Sequence, residues 1–336
     1  MLLEIFSTIF LIFILNFLLI KKNFLVDLKK KSKHKQLTEN INKKVPLAGG
    51  LIILLILNYF NFQNFFFLFI TSSILILGIL SDLDILRSPK KRILIQSIII
   101  IIYLIYSSIY FDDLRLAPLN ALLNYYPIAI GFNLFCILIL LNGTNLIDGV
   151  NNSVVGYFLS IGLILLILSI KYNLNLNTDF ISTIMVILSA IYLFNFFGKL
   201  YLGDGGSYLI SFIFSLILIQ FYIDNPSVSP YFVMCLLWYP AFENLFSIIR
   251  KKINKISFET PDKKHFHHFL FNFIGLKIRS NKEIANTISG NVIALYNLIY
   301  FFIIKDYYFF TLGLILSCII NIFLYISVYF FLSKKN

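Results

Sequence analysis

The run Tyr125-Tyr126-Pro127-Ile128-Ala129-Ile130-Gly131-Phe132-Asn133-Leu134-Phe135-Cys136-Ile137-Leu138-Ile139-Leu140-Leu141 passes without a break into Asn142-Gly143-Thr144-Asn145-Leu146-Ile147-Asp148-Gly149. Its apolar part has the length, about 17–25 residues, that crosses a bilayer as a helix. Its polar part steps by three, so a helix keeps Asn142, Asn145 and Asp148 on one stripe. Amide oxygens and a carboxylate on one face suit a hydrated hard cation or the edges of a nucleotide. The plainer reading, a helix end followed by a polar turn, fits less well, because Asn142 directly follows a long apolar run where polar burial is costly. Gly149 lets the chain end or another backbone come close.

The rest of the chain repeats the apolar theme. Of its 336 residues, 59% are apolar or aromatic and 13% are charged, with a mean hydropathy of +0.86. A soluble domain is about 45–50% apolar and about 25% charged, so the composition argues against a water-soluble fold. The 37 Phe and 20 Tyr exceed what one soluble core of this size would hide. Cys136, Cys235 and Cys318 sit inside apolar runs without metal-ligand spacing, which excludes a disulfide scaffold or a zinc ribbon. The fold class is therefore an all-α, polytopic membrane protein with one domain over residues 1–336. Its candidate spans are the runs 3–20, 46–61, 64–80, 93–111, 125–141, 153–170, 180–197, 207–223, 231–249, 288–304 and 308–332. The second is short and contains glycine, so ten spans is the alternative to eleven.

Basic residues set the expected topology. Glu4 precedes the first run and Lys21 and Lys22 follow it, the reverse of a cleaved signal peptide, which places the N-terminus outside. Threading eleven spans from that start leaves only Arg115, Lys171 and Lys305 of the 28 basic residues on the outer side. That bias predicts a multi-pass protein of the cell inner (plasma) membrane with its polar loops in the cytoplasm. The net charge of +12 then reflects topology and attraction to anionic membrane lipids, and no nucleic-acid partner is expected.

Polar residues unexplained by solubility gather in five clusters on that inner side. They are Lys43 to Gly50, Ser81 to Gln96, Asn142 to Asn152, Gly198 to Ser207 and Asp262 to His268. Ionisable groups at membrane depth are costly and usually functional. In the fourth cluster, Asp204 stands among Gly203, Gly205 and Gly206, where glycines free the backbone to approach an anion and helix-start N–H groups favour phosphate. Asp204 is suited to a magnesium ion that a diphosphate also ligates; a tight turn is the bland alternative. Asp82 and Asp84 are two apart and would point to different sides of a helix, while the cations after them suit a phosphate-bearing lipid head. Topological anchoring accounts equally for Arg87, Lys90 and Lys91. His265, His267 and His268 suggest hydrogen bonding to phosphate or sugar rather than zinc, since adjacent histidines lack a second ligand cluster and have Lys263 and Lys264 beside them.

The order of these motifs resembles the polyprenyl-phosphate N-acetylhexosamine-1-phosphate transferases, in the branch that initiates surface polysaccharides rather than the muramoyl-pentapeptide branch. The resemblance covers about residues 43–270. It rests on Pro46 to Gly50, Ser81 to Gln96, Asn142 to Gly149, Asn195-Phe196 with Gly203 to Ser207, and Asp262 to His268. It implies transfer of a sugar 1-phosphate from a UDP-N-acetylhexosamine to polyprenyl (undecaprenyl) phosphate, with UMP as the second product. It also implies Asp82, Asp148 and Asp204 as catalytic residues, and Asn145 with Asp204 on Mg2+, Mn2+ being the alternative ion. Lys43, Lys44, Asn142, Asn195, His265, His267 and His268 would bind substrate. Two positions depart from the family pattern: Ser81 stands where many members have the first of two aspartates, and Glu243 where many have Asp. An inactive scaffold, a carrier or flippase of lipid-linked saccharide, and a homodimer stay open on sequence alone.

Overall fold

In lipid, backbone polar groups must be satisfied within the segment, which favours helices. The computed structural model describes residues 2–27, 44–60, 64–257, 264–278 and 281–335, and these are overwhelmingly helical. In chain order the elements are α1 (Leu2–Lys22), β1 (Val26–Asp27), β2 (Val45–Pro46), α2 (Gly49–Tyr59), α3 (Phe65–Asp82), α4 (Pro89–Ser107) and α5 (Ala117–Leu123). There follow α6 (Tyr126–Ile147), α7 (Ser153–Tyr172), α8 (Thr178–Phe196), α9 (Gly203–Asp224), α10 (Pro230–Leu236), α11 (Trp238–Ile253), α12 (Phe266–Ile278), α13 (Lys282–Ile304) and α14 (Thr311–Lys335). The strands form one short antiparallel pair, with Val26 opposite Pro46.

All eleven apolar runs fall on helix, but not all make full spans. Among the described residues eight helices are long and apolar enough to cross a membrane, or nine if α10 and α11 are one span. The difference from eleven has local causes. Helix α2 has only 11 residues. Helix α4 opens on Pro89 with Lys90, Lys91 and Arg92 in its first turn, so its apolar stretch starts late. The ninth run breaks at Leu237, where α10 and α11 meet at 73°.

Helix boundaries follow side-chain chemistry. Asn64 caps α3 by accepting from Phe66 N and Phe67 N at 3.0 and 3.3 Å. Ser88 and Pro89 start α4, a residue pair suited to an N-cap and a first helical position. Helix α3 ends at Asp82, and Asp84 in the left-handed region (φ 60°) turns the chain back towards α4. Asn152 (φ 67°) does the same between α6 and α7.

Helix α9 is the most buried of the spanning helices and forms the hub of the bundle. Its first turn meets α2 and α3 backbone to backbone. A Cβ on Gly78 would lie 2.3 Å from Gly205 Cα, and one on Gly50 would lie 2.8 Å from Gly206 N. Gly205 and Gly206 thus serve helix packing, where the sequence suggested approach to an anion.

Polar groups sort to the two ends of the bundle. At one end Arg115 ties three loops by donating to the carbonyls of Pro226, Val228 and Phe309, and Asp306 accepts from Lys171 and Lys305. The other end holds the C-termini of α3, α6 and α8, the N-termini of α4, α7, α9 and α13, and the histidine segment.

Candidate active site

Asp204, in the first turn of α9, is 6% exposed and collects side chains from three other helices. Asn145 Nδ2 on α6 donates to Asp204 Oδ1 at 2.7 Å. Ser81 Oγ at the end of α3 donates to Asp204 Oδ2 at 2.6 Å. Arg92 Nη1 on α4 donates to Ser81 Oγ at 2.6 Å and reaches Asp204 Oδ2 at 3.2 Å and Tyr208 Oη at 3.4 Å. Asn145 also donates to Ser207 Oγ at 3.2 Å. The ion pair is largely shielded, with side-chain exposures of 20% for Arg92 and 9% for Asp204. A half-buried pair of this kind is worth more than a surface one.

Asp82 reaches the same turn from outside it. Its Oδ1 accepts from Asp204 N at 2.9 Å and its Oδ2 from Gly205 N at 3.2 Å. A helix start leaves its first N–H groups without intrahelical partners and carries partial positive charge, so a carboxylate there is stabilising. Gly203 takes φ 73°, and a Cβ there would lie 2.7 Å from Asp82 Oδ2. The N–H groups that the sequence offered to a phosphate are therefore taken by Asp82. Since Asn offers only one acceptor oxygen, Asp82→Asn is expected to cost about 1 kcal/mol of stability and to lower turnover far less than a change at Asp204. Thermal unfolding and rate measurements on the same preparation check this; a loss as deep as that of Asp204→Asn would return Asp82 to the reaction itself.

The Asn142, Asn145 and Asp148 stripe exists as the sequence predicts, all three half-buried near the end of α6. Asn142 Nδ2 donates to Gln96 Oε1 at 3.1 Å, one turn along α4 from Arg92. Asp148 is the C-cap of α6. Together with Asp27 and Glu283, its charge adds to burial in pushing the Tyr201 hydroxyl up to about 12. Asn195 is engaged with backbone at both ends: Asn152 N donates to its Oδ1 at 2.5 Å, and its Nδ2 donates to Leu200 O at 2.7 Å. That geometry gives Asn195 the task of joining two loops. Lys44 is exposed and donates to Asn23 Oδ1 at 2.6 Å, apart from the Asp204 cluster. Lys43 and Asp262 lie outside the described residues.

The histidines form one buried group against the end of α6. The His265 and His267 rings are parallel at 5.7 Å, and His267 and His268 are 4.2 Å apart. A Cβ at Gly149 would lie 2.1 Å from His267 Nε2, so only glycine lets this ring approach. His265 Nδ1 lies 3.0 Å from Glu243 Oε1 on α11. Burial, then the neighbouring His268 and His265, hold His267 well below the usual imidazole range. It is therefore a neutral donor and acceptor at pH 7, with Nδ1 lacking a hydrogen-bond partner among the described residues. The unfolded chain takes up a proton near pH 6.5 while the folded chain does not, so stability falls as pH drops below about 6.5. Melting temperatures at pH 7.5 and 5.5 should diverge in the unaltered protein and less so in His267→Asn; equal divergence would remove His267 as the cause.

A cavity of about 600 Å³ is lined by Tyr201, Asn151, Asn286, Asn291, Glu283 and apolar side chains of α8 and α13, and neither the histidines nor the side chains gathered on Asp204 line it. Sequence reasoning treated the cations after Asp82 as a patch and did not single out Arg92. The available signal was its i, i+4 spacing to Gln96, which puts both on the inner face of α4 while Lys90 and Lys91 stay exposed. Nothing in the local sequence marked Tyr201 or Tyr208 as partners of this end, whereas Glu243 stood out through the family resemblance alone.

Residues 64–222 match the model of glycosyl transferase family 4. The chain is 28% identical over 208 residues to the Bacillus subtilis (strain 168) protein named "Probable undecaprenyl-phosphate N-acetylglucosaminyl 1-phosphate transferase". That alignment takes in 60% of this chain and 56% of the relative, so the chain spans little more than half of the relative's length. The matched segment runs from the N-cap of α3 almost to the end of α9 and contains Ser81, Asp82, Arg92, Asn145, Asp148 and Asp204. The motifs, the membrane fold and this match together make the chain similar to glycosyl transferase family 4 and support the likeness to the polyprenyl-phosphate sugar-1-phosphate transferase superfamily.

Proposed function

We propose that this protein transfers a sugar 1-phosphate from a UDP-N-acetylhexosamine to polyprenyl phosphate at the cytoplasmic face of the inner membrane, releasing UMP and starting a cell-envelope glycan. The observation that carries the reading is the convergence of Ser81, Arg92 and Asn145 on one buried carboxylate, Asp204. Phosphoryl transfer asks a protein mainly for positioning and charge neutralisation. An oxygen of the acceptor phosphate attacks the sugar-linked phosphorus, and the bond from that phosphorus to the UMP oxygen breaks.

The groups around Asp204 fit a hard cation, because Ser81 Oγ lies against the carboxylate and a turned amide at Asn145 adds a second neutral oxygen. Among the described residues no group of three or more His, Cys, Asp or Glu is arranged to hold a metal ion, so the protein side of a magnesium or manganese site would rest on one carboxylate with substrate oxygens completing it. Such an ion supplies charge neutralisation on the diphosphate. Asp204 and Asn145 would hold it. Arg92 itself carries positive charge into the site. A phosphate monoester has a second pKa near about 6, so the acceptor arrives mostly as a dianion and needs no base. Asp82 is then free to cap α9, and Ser81 in place of a carboxylate is tolerated. Tyr201 and the amides of Asn151, Asn286 and Asn291 offer a ring and hydrogen bonds to the nucleoside in a cavity of ligand size. The histidine group would hold sugar or phosphate oxygens, and Asp148 would contact the nucleotide or the outer shell of the ion.

Sidedness rests on the basic bias of the loops. Collection of the cluster at one end of the bundle favours an enzyme over a carrier, which needs polar groups near mid-membrane. Purified full-length protein in lipid nanodiscs, given polyprenyl phosphate and a panel of UDP-N-acetylhexosamines, should release UMP with at least one donor, and only when the lipid is present. No UMP from any donor would overturn the reading and leave the scaffold alternative.

A further inference from the structure

The last helix grips the histidine segment through two tyrosines one turn apart. Tyr325 Oη donates to Glu243 Oε2, while Glu243 Oε1 receives Phe266 N at 3.3 Å and faces His265 Nδ1 at 3.0 Å. Tyr329 Oη donates to Lys264 O at 2.9 Å and accepts from Arg250 Nη1 at 2.7 Å. The Phe266 ring lies 5.0 Å from that of Tyr325, and the Phe269 ring 5.2 Å from that of Tyr329. Both tyrosines belong to the buried stripe Leu314, Cys318, Asn321, Tyr325, Tyr329 and Leu332, which is the inner face of α14.

A carboxylate only accepts, so the contact to Glu243 places a proton of His265 on Nδ1 and sets the ring's orientation. Glu243 is 1% exposed, and a buried carboxylate holds one orientation only while its lone pairs are satisfied. Tyr325 satisfies the oxygen that His265 does not use. We infer that Tyr325, through Glu243, is a positioning residue that fixes the tautomer and ring orientation of His265, so that α14 is part of the transferase machinery as well as a membrane helix. The inference rests on the proposed transferase reading for its kinetic consequence and on geometry alone for its structural one.

Tyr325→Phe removes only the hydroxyl. Loss of such an orienting partner of a functional histidine costs about 10–100-fold in the metal sites where it has been measured; about 10-fold in kcat/KM is expected here. In a His265→Asn background the same change should cost no more than about 2-fold, because groups acting through one another are non-additive. An equal loss in both backgrounds, or none in either, overturns the inference. A second readout needs no turnover. With ring-15N histidine, the Nδ1–H signal assigned by its loss in His265→Asn should move in Tyr325→Phe and disappear in Glu243→Gln. An Nδ1–H signal that ignores both changes overturns the inference. If the unaltered protein releases no UMP, the transferase reading fails, and the nitrogen signal alone decides the part played by Tyr325.

Discussion

Asp204→Asn is expected to lower the rate of UMP release about 10²–10³-fold, the loss that follows removal of one preorganised electrostatic contact to a transition state. The substitution keeps size and shape, and the amide oxygen still accepts from Asn145 or from Ser81. What it removes is the negative charge on which Arg92 and Ser81 converge and to which a divalent ion would be anchored. Arg92 would be left shielded without its anion, so some loss of stability accompanies the change. Steady-state kinetics at saturating donor and acceptor, with thermal unfolding of the same sample, separate the two effects. A folded variant with a rate within a few-fold of the unaltered protein would take Asp204 out of the reaction, whatever its contacts.

The second large effect comes from a residue with no chemistry. Gly78→Ala puts a methyl 2.3 Å from Gly205 Cα and 2.5 Å from Gly205 N, where the opposing atoms are backbone and cannot rotate away. Overpacking of this kind costs about 1–3 kcal/mol. Its functional cost is larger, because α3 carries Ser81 and Asp82 one turn beyond Gly78 and both bind the first turn of α9. Prising the helices apart withdraws the cap from Asp204 N and Gly205 N, together with the hydroxyl from Asp204 Oδ2. Turnover should fall by more than the drop in melting temperature alone explains. A variant with unchanged melting and turnover would show that the contact of α3 with α9 does not set the site.

The sequence pattern carries the environment of each segment well. Long apolar runs mark helices because in lipid each stretch must satisfy its own hydrogen bonds, a local requirement that composition reveals. The eleven runs therefore all land on helix, and the three-residue step through Asn142, Asn145 and Asp148 reads as a stripe because helical spacing is local too. Span counting fared less well at α2, α4 and the break between α10 and α11. There the outcome depends on where a helix stops and which way the next one leaves.

The site divides along the same line. Asn145 and Asp204 could be named from their motifs, but whether an acid near a helix start meets a phosphate or another side chain depends on which helix crosses it. Asp82 shows the difference: its neighbours in sequence suggest chemistry, whereas its neighbours in space are two backbone N–H groups of α9. Arg92 and Tyr325 had no local signal, since their partners are more than 80 residues away in Arg92–Asp204 and Tyr325–Glu243. Periodicity and composition thus determined the membrane fold and the identity of the polar clusters. Only the tertiary packing of α3, α4, α6 and α14 decided which polar atom faces which, because a hydrogen bond is fixed by position to within tenths of an ångström and no spacing along one helix specifies the placement of another.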